Sequence, residues 1–198
     1  RAAGVTDAEG YIATLGKNTR QQLRRSMRLY AERGPLVLED CADVEEFFAE
    51  LGVHHEAKWQ AVGASGATVN AEYMAFHRRM IAEALPKGEV ELLRASAGGE
   101  GFGWLYNFVS RGQVLFYLSG FRAEEDNRLK PGLVTHALAV ERHLRGRAAA
   151  YDFMGGTNRY KTSLGQPGPD LVAIALQRRV PVLMLEKFAR GVKARLGR

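Results

Sequence analysis

Apolar positions recur at helical spacing through the first half of the chain and alternate or cluster through the second. Leu23, Met27 and Tyr30 form a stripe that predicts a helix capped by Asn18 or Thr19 and running to about Arg33, where Arg33-Gly34-Pro35 ends it. Leu36 to Glu39 reads as a short strand. Asp43 opens a second helix with Val44, Phe47, Phe48 and Leu51 inward, restarting after Gly52 and reaching Trp59. "GASGAT" is a loop, and Asn70 starts a third helix with Tyr73, Phe76, Met80 and Ile81 on one side, closed by "LPKG".

From Glu89 the period changes. Glu89 to Ala95, Phe102 to Ser110 and Gln113 to Phe121 read as strands, the last two joined by Arg111-Gly112, a two-residue hairpin signal. "GGEGFG", Gly98 to Gly103, precedes a strand rather than a helix, so it reads as a hairpin turn and not a dinucleotide loop. "EEDNRLKPG" breaks the pattern, and Pro131-Gly132 begins a helix through Leu144. "AAAYDFM" is a strand, "NRYKTSL" a helical turn, Leu171 to Gln177 a strand, and Pro181 opens a helix to about Leu196. The order is α/β (α+β): antiparallel strands, then a β-α-β crossover, in a mixed sheet with helices on its faces. The crossover helix begins where its strand ends, so its unpaired N–H groups face the open end of the sheet, a natural anion site.

The chain has 198 residues and is 46% hydrophobic, enough for one core. Its net charge of +6 favours anionic partners. The single Cys41 excludes an intrachain disulfide and a cysteine-rich zinc site, and reads as a small buried hydrophobe. No apolar run reaches the ~20 residues of a membrane span, and no signal peptide is evident. The expectation is a single domain over residues 1–198 in the cytoplasm.

Candidate chemistry gathers at three places. Arg128, Lys130, Pro131 and Gly132 suit a phosphate at a helix start, or simply start a helix well. Asp152, Tyr160 and Lys161 flank a glycine turn. Either an acid, a phenol and an ammonium meet there to handle protons, or Asp152 and Lys161 pair to close the loop. Arg20, Arg24, Arg25 and Arg28 form a basic stripe. It reads first as a solvated face, because no aromatics interleave it for base stacking. The five histidines read as partly exposed, hydrogen-bonded side chains, and none has metal spacing. His55 and Trp59 share a helix face and could line a pocket. The basic amphipathic "LEKFARGVKARL" either packs Leu185, Phe188 and Val192 inward or contacts a membrane surface.

"LGKNTRQQLRRSMR", "HHEAKWQ", "FHRRM", "YLSGFRAEEDNRLKPGLV" and "YDFMGGTNRYKTSLG" together resemble the GNAT-type acetyltransferases of the cellulose-biosynthesis (CelD-like) branch, which is similar to the Fem-type peptidoglycan aminoacyltransferases. The resemblance runs from about Gly16 to about Gln177. It implies a GNAT-like mixed, mostly antiparallel sheet and acyl transfer from acetyl-CoA or another acyl-CoA to a small-molecule, sugar or peptide amine. Ser119 and Gly120 would lie along the donor, with its pyrophosphate at Lys130 to Val134, including Leu133. Asp152, Gly155, Tyr160 and Lys161 would lie by the acceptor, with His55 and Trp59 as the far wall. Two departures matter. "RLKPG" has fewer glycines than the usual phosphate loop, which leaves room for an aminoacyl-tRNA donor of the Fem type or for a non-catalytic GNAT-like binding module. Relatives often carry two GNAT-like halves, so the chain is either one complete domain or the C-terminal half of a longer protein. Nucleic acid other than tRNA is disfavoured.

Overall fold

In the computed structural model the chain divides into two compact units, Arg1–Gly168 and Pro169–Arg198. The structure describes Val5, residues 7–146, 148–156 and 159–168, together with Val172, Val180, Leu183 and Met184. The strand at Leu171 to Gln177 and the helix from Pro181, with Leu185, Phe188 and Val192, therefore lie outside the described residues.

The first unit contains α1 (Ala8–Thr14), α2 (Lys17–Ala31), β1 (Leu36–Asp40), α3 (Val44–Gln60), a short turn of helix at Ala67–Val69, α4 (Ala71–Ala84), β2 (Val90–Ala97), β3 (Glu100–Ser110), β4 (Gln113–Phe121), α5 (Pro131–Arg145), β5 (Ala150–Asp152) and α6 (Arg159–Leu164). The five described strands form one sheet in chain order; β1 to β4 pair antiparallel and β5 joins β4 in parallel. This is the mixed α/β arrangement expected from the pattern.

The helix boundaries obey local chemistry. Asp43 caps α3 by accepting from the amides of Glu45 and Glu46, and Asn70 caps α4 by accepting from Tyr73. α2 starts earlier than expected, at Lys17 with Gly16 as its cap, so Asn18 and Thr19 lie inside the first turn. α3 runs unbroken through Gly52. α1 has no counterpart in the sequence pattern. Asp7 caps it and Tyr11, Ile12 and Leu15 bury it. The inner face of α4 is also corrected. Phe76 is exposed, and the buried positions are Met74, His77, Ile81 and Ala84. Gly98 and Gly99, both with positive φ, turn the β2–β3 hairpin, and Arg111 and Gly112 turn the next one.

Two layers of core enclose the sheet. Tyr11, Ile12, Leu23, Tyr30, Phe102, Val134 and Ala137 join α1, α2 and α5 to one face. Phe47, Phe48, Leu51, Met74, Ile81, Trp104 and Tyr106 join α3 and α4 to the other. Cys41 is half-buried at the margin of the second layer, where burial pushes its thiol up to about 11.

One irregularity decides the geometry of β4. Tyr106 pairs with Leu118 but Asn107 pairs with Phe116, leaving Tyr117 as an extra residue. Phe116 therefore points toward α5, while Tyr117 and Leu118 both point toward α3 and α4.

Candidate functional site

β4 and β5 share three residue pairs, ending at Leu115 opposite Asp152. Beyond it, Phe116 to Phe121 have no strand on that side among the described residues. The two strands fork at the bulge, and the start of α5 stands at the open end.

The loop into α5 is fastened to α2. Glu124 accepts from the Tyr30 hydroxyl at 3.1 Å and takes both arms of Arg33 at 3.0 and 2.9 Å. Leu129 is buried, and the Lys130 amide donates to the buried Ser26 Oγ at 2.8 Å. Pro131 occupies the first helical position, where its missing N–H costs nothing. No side chain caps α5, so the amides of Gly132 and Leu133 point outward without an intrahelical partner. The Val134 amide is already in the helix, bonded to the Lys130 carbonyl. A Cβ on Gly132 would press on the Phe121 ring at 3.2 Å. Arg128 is committed locally, its amide and guanidinium both on Asp126, which holds that carboxyl down to about 2.

Ser119 and Gly120 sit beside α3. The Ser119 carbonyl accepts from His55 Nδ1 at 2.9 Å, and a Cβ on Gly120 would meet the Leu51 carbonyl oxygen at 2.5 Å. A carbonyl can only accept, so His55 carries its proton on Nδ1, and its Nε2 receives the Ala67 amide at 3.4 Å. His55 thus ties α3, β4 and the Ala67–Val69 turn together. Trp59, one turn on, is exposed.

On β5 the alternation sends Tyr151 and Phe153 toward α5 and Asp152 to the opposite face. Asp152 is exposed, and its Oδ1 accepts from the Met154 amide at 2.7 Å. Lys161 Nζ donates to the Gly155 carbonyl. Asp152 and Lys161 are near enough for Asp152 to favour the ammonium, yet they form no ion pair; burial, the larger influence, lowers Lys161. Tyr160 is half-buried, and burial raises its phenol. The structure therefore brings Asp152, Gly155 and Lys161 together at the end of β5, turns the Tyr160 ring away to the α5 face against His136, and places His55 and Trp59 on the α3 side.

Three of the five histidines correct the expectation of partial exposure, while His54 and His143 are partly exposed as expected. His55, His77 and His136 are buried. His136, on α5, is fully buried under the fork among Phe116, Phe121, Tyr151, Phe153 and Tyr160, with its ring stacked on Tyr160. Its Nδ1 lies 3.1 Å from the Tyr151 hydroxyl and its Nε2 has no partner among the described residues; burial lowers it to about 3. Its place on the inner face at helical spacing from Val140 is the available sequence signal. No cluster of metal-binding side chains occurs among the described residues, and no helix there is long and apolar enough to cross a membrane.

The family described as an acetyltransferase (GNAT) domain matches residues 17–162. None of the curated proteins matches. Among solved structures, the chain is similar to a C-terminal DUF2156 domain assigned to a putative lysylphosphatidylglycerol synthetase of Agrobacterium fabrum. The identity is 14% and the TM-score 0.38, covering 72% of this chain and 42% of that one.

Proposed function

Because the chain belongs to the acetyltransferase (GNAT) domain family, we propose that it transfers an acyl group from an acyl-CoA to an amine, as a member of the CelD-like branch. The observation that carries the reading is the fork of β4 and β5 beside an uncapped helix start. The outward amides of Gly132 and Leu133 and the half-buried Lys130 fit the donor's phosphates. The Glu124 and Ser26 anchors hold that loop before any ligand arrives. Bound there, the thioester supplies the activated acyl group.

The amine reaches the reacting carbon only as the free base. Asp152, on leaving the Met154 amide, is the carboxylate that takes a proton from the incoming ammonium. Tyr160, kept protonated by burial, holds a proton for the departing sulfur. Lys161 fixes the turn through Gly155. His55 and Trp59 line the α3 side of the acceptor path.

Acetyl-CoA at about a hundred times its Kd is expected to stabilise the protein by about 2.7 kcal/mol, read as a rise in Tm. The Lys130→Ala variant is expected to raise KM for acetyl-CoA with kcat preserved. No rise in Tm at saturating acetyl-CoA overturns CoA as donor.

A second reading, aminoacyl transfer from tRNA as in Fem-type enzymes, is favoured by one observation. Lys17, Arg20, Arg24, Arg25 and Arg28 line a shallow depression on α2. It predicts RNA binding that weakens steeply with salt.

A further inference from the structure

A second set of polar groups lies between α4, β3 and β4, on the face opposite His136, and neither the donor site nor the proton-handling groups include it. Four side chains form a row: Tyr106, His77, Tyr117 and Tyr73. The Tyr106 hydroxyl lies 3.0 Å from His77 Nδ1, His77 Nε2 lies 3.3 Å from the Tyr117 hydroxyl, and the Tyr73 hydroxyl donates to Tyr117 at 3.2 Å. Tyr106 and His77 are buried, whereas Tyr117 is 37% exposed.

Burial decides which way the protons run. Among the described residues, Tyr106 has one hydrogen-bond partner, His77 Nδ1. If Nδ1 carried the proton, the Tyr106 O–H would be sealed in the core with nothing to accept it, which is the costly arrangement. Tyr106 therefore donates to Nδ1, and the neutral imidazole carries its proton on Nε2. Burial lowers His77 and raises Tyr106, which keeps the first neutral and the second protonated. Nε2–H then donates to Tyr117, and Tyr73 donates to the same oxygen. With both lone pairs of Tyr117 engaged, its own O–H is the free end of the row.

The Tyr117 ring leans over β3, against Tyr106 and Phe108, from a backbone position at the fork. Tyr117 is the bulged residue of β4, two positions beyond Leu115, and shares a sheet face with Asp152, the β5 partner of Leu115. With Tyr106 opposite Leu118, a regular ladder would set Asn107 opposite Tyr117 and turn the phenol toward α5. The bulge instead puts 117 and 118 on the same face.

We propose that His77 and Tyr73 orient Tyr117 as a dedicated hydrogen-bond donor to the carbonyl oxygen of the acyl thioester, the oxygen on which negative charge grows during transfer. The inference rests on the acyl-transfer reading. A phenol whose oxygen is already filled by two donors selects an acceptor atom and rejects an ammonium, so the row faces the acyl group and not the amine. Tyr117 is the catalytic group; His77 and Tyr73 are positioning residues.

The test combines kinetics with a spectroscopic readout. With acetyl-CoA and a panel of primary amines, Tyr117→Phe is expected to lower kcat about 100-fold with KM for acetyl-CoA nearly unchanged. His77→Gln, whose amide N–H stands in for Nε2–H, is expected to retain most of kcat, whereas His77→Leu falls with Tyr117→Phe. Circular dichroism verifies that each variant folds. In wild-type protein, two-bond ¹H–¹⁵N spectra, with His77 assigned through His77→Gln, are expected to show the Nε2–H tautomer. Wild-type kcat in Tyr117→Phe, or an Nδ1–H tautomer in an enzyme that turns over, overturns the row alone. A protein that turns over no acyl thioester instead overturns the acyl-transfer reading, and with it the assigned ligand.

Discussion

Single side chains at this site are constrained from two directions, by close packing and by hydrogen-bond completeness. Gly120 illustrates the first. The Leu51 backbone lies where its Cβ would stand, and a backbone neighbour cannot rotate away as a side chain can. Gly120→Ala is expected to destabilise by about 1–3 kcal/mol, seen as a lower denaturant midpoint with an unchanged slope. The glycine thus lets α3 approach β4, in addition to any contact it makes with a donor. Hydrogen-bond completeness is visible in His55 and His77, whose tautomers are opposite because one faces a carbonyl and the other a buried phenol. Neither fact is legible in the sequence. Glycine at 120 reads as an open strand end, and a histidine on a helix reads as half-exposed, because both depend on what another element brings opposite. The nearness of Asp152 and Lys161 is legible since a short turn joins them, whereas the turning of Tyr160 onto His136 is not. That Asp152 bonds Met154, and not Lys161, depends on the turn's own geometry.

Among the elements, α2 does more than cover the sheet. Its inner face supplies Tyr30, Arg33 just past its end, and Ser26, which together hold the loop that leads into α5. Ser26→Ala would leave the Lys130 amide without its acceptor. It is expected to cost about 1–2 kcal/mol in unfolding free energy and, if the proposed donor site is right, to raise KM for an acyl-CoA donor, because the two amides assigned to the phosphates are the next in line. Calorimetry and steady-state kinetics on the same preparation check both. The strands and the long helices are readable from apolar spacing, since each buries a continuous stripe. α1 is not, being seven residues with two buried positions inside it, too short for a period to register. The early start of α2 is hidden for a related reason: Gly16 caps it without a side-chain signal. The bulge in β4 is hidden as well, because Phe116-Tyr117-Leu118 is apolar throughout and shows no break in alternation.

For the molecule as a whole, buried histidines link folding to acidity. Burial pushes His136 down to about 3 in the fold, and also lowers His77 and His54. An unfolded histidine titrates near ~6.5. Below that value the unfolded chain binds protons that the folded one refuses, so stability falls as pH drops from about 6.5 toward 3, and is fully present above that window. A group as deeply buried as His136 contributes a slope of up to about 1.4 kcal/mol per pH unit. His136→Gln, which keeps an uncharged partner for Tyr151, is expected to flatten the decline in Tm between about pH 6 and 4, inside the range its titration spans. An unaltered decline would mean that the carboxylates dominate. The net charge of +6 and the depression lined by Lys17 to Arg28 belong to this scale too. They govern which anions are drawn toward the α2 face before any specific contact forms.

The additional residue in β4 carries an evolutionary and engineering corollary. Its two halves run out of phase with each other, and no substitution can bring them back into step; only an excision can. Removing Tyr117 would heal the ladder between Tyr106 and Asn107, but it would also strip the buried His77 of its outer partner and Tyr106 and Phe108 of a packed ring. Here the break in regularity and the satisfaction of a buried histidine fall on the same residue, so the two cannot be engineered apart.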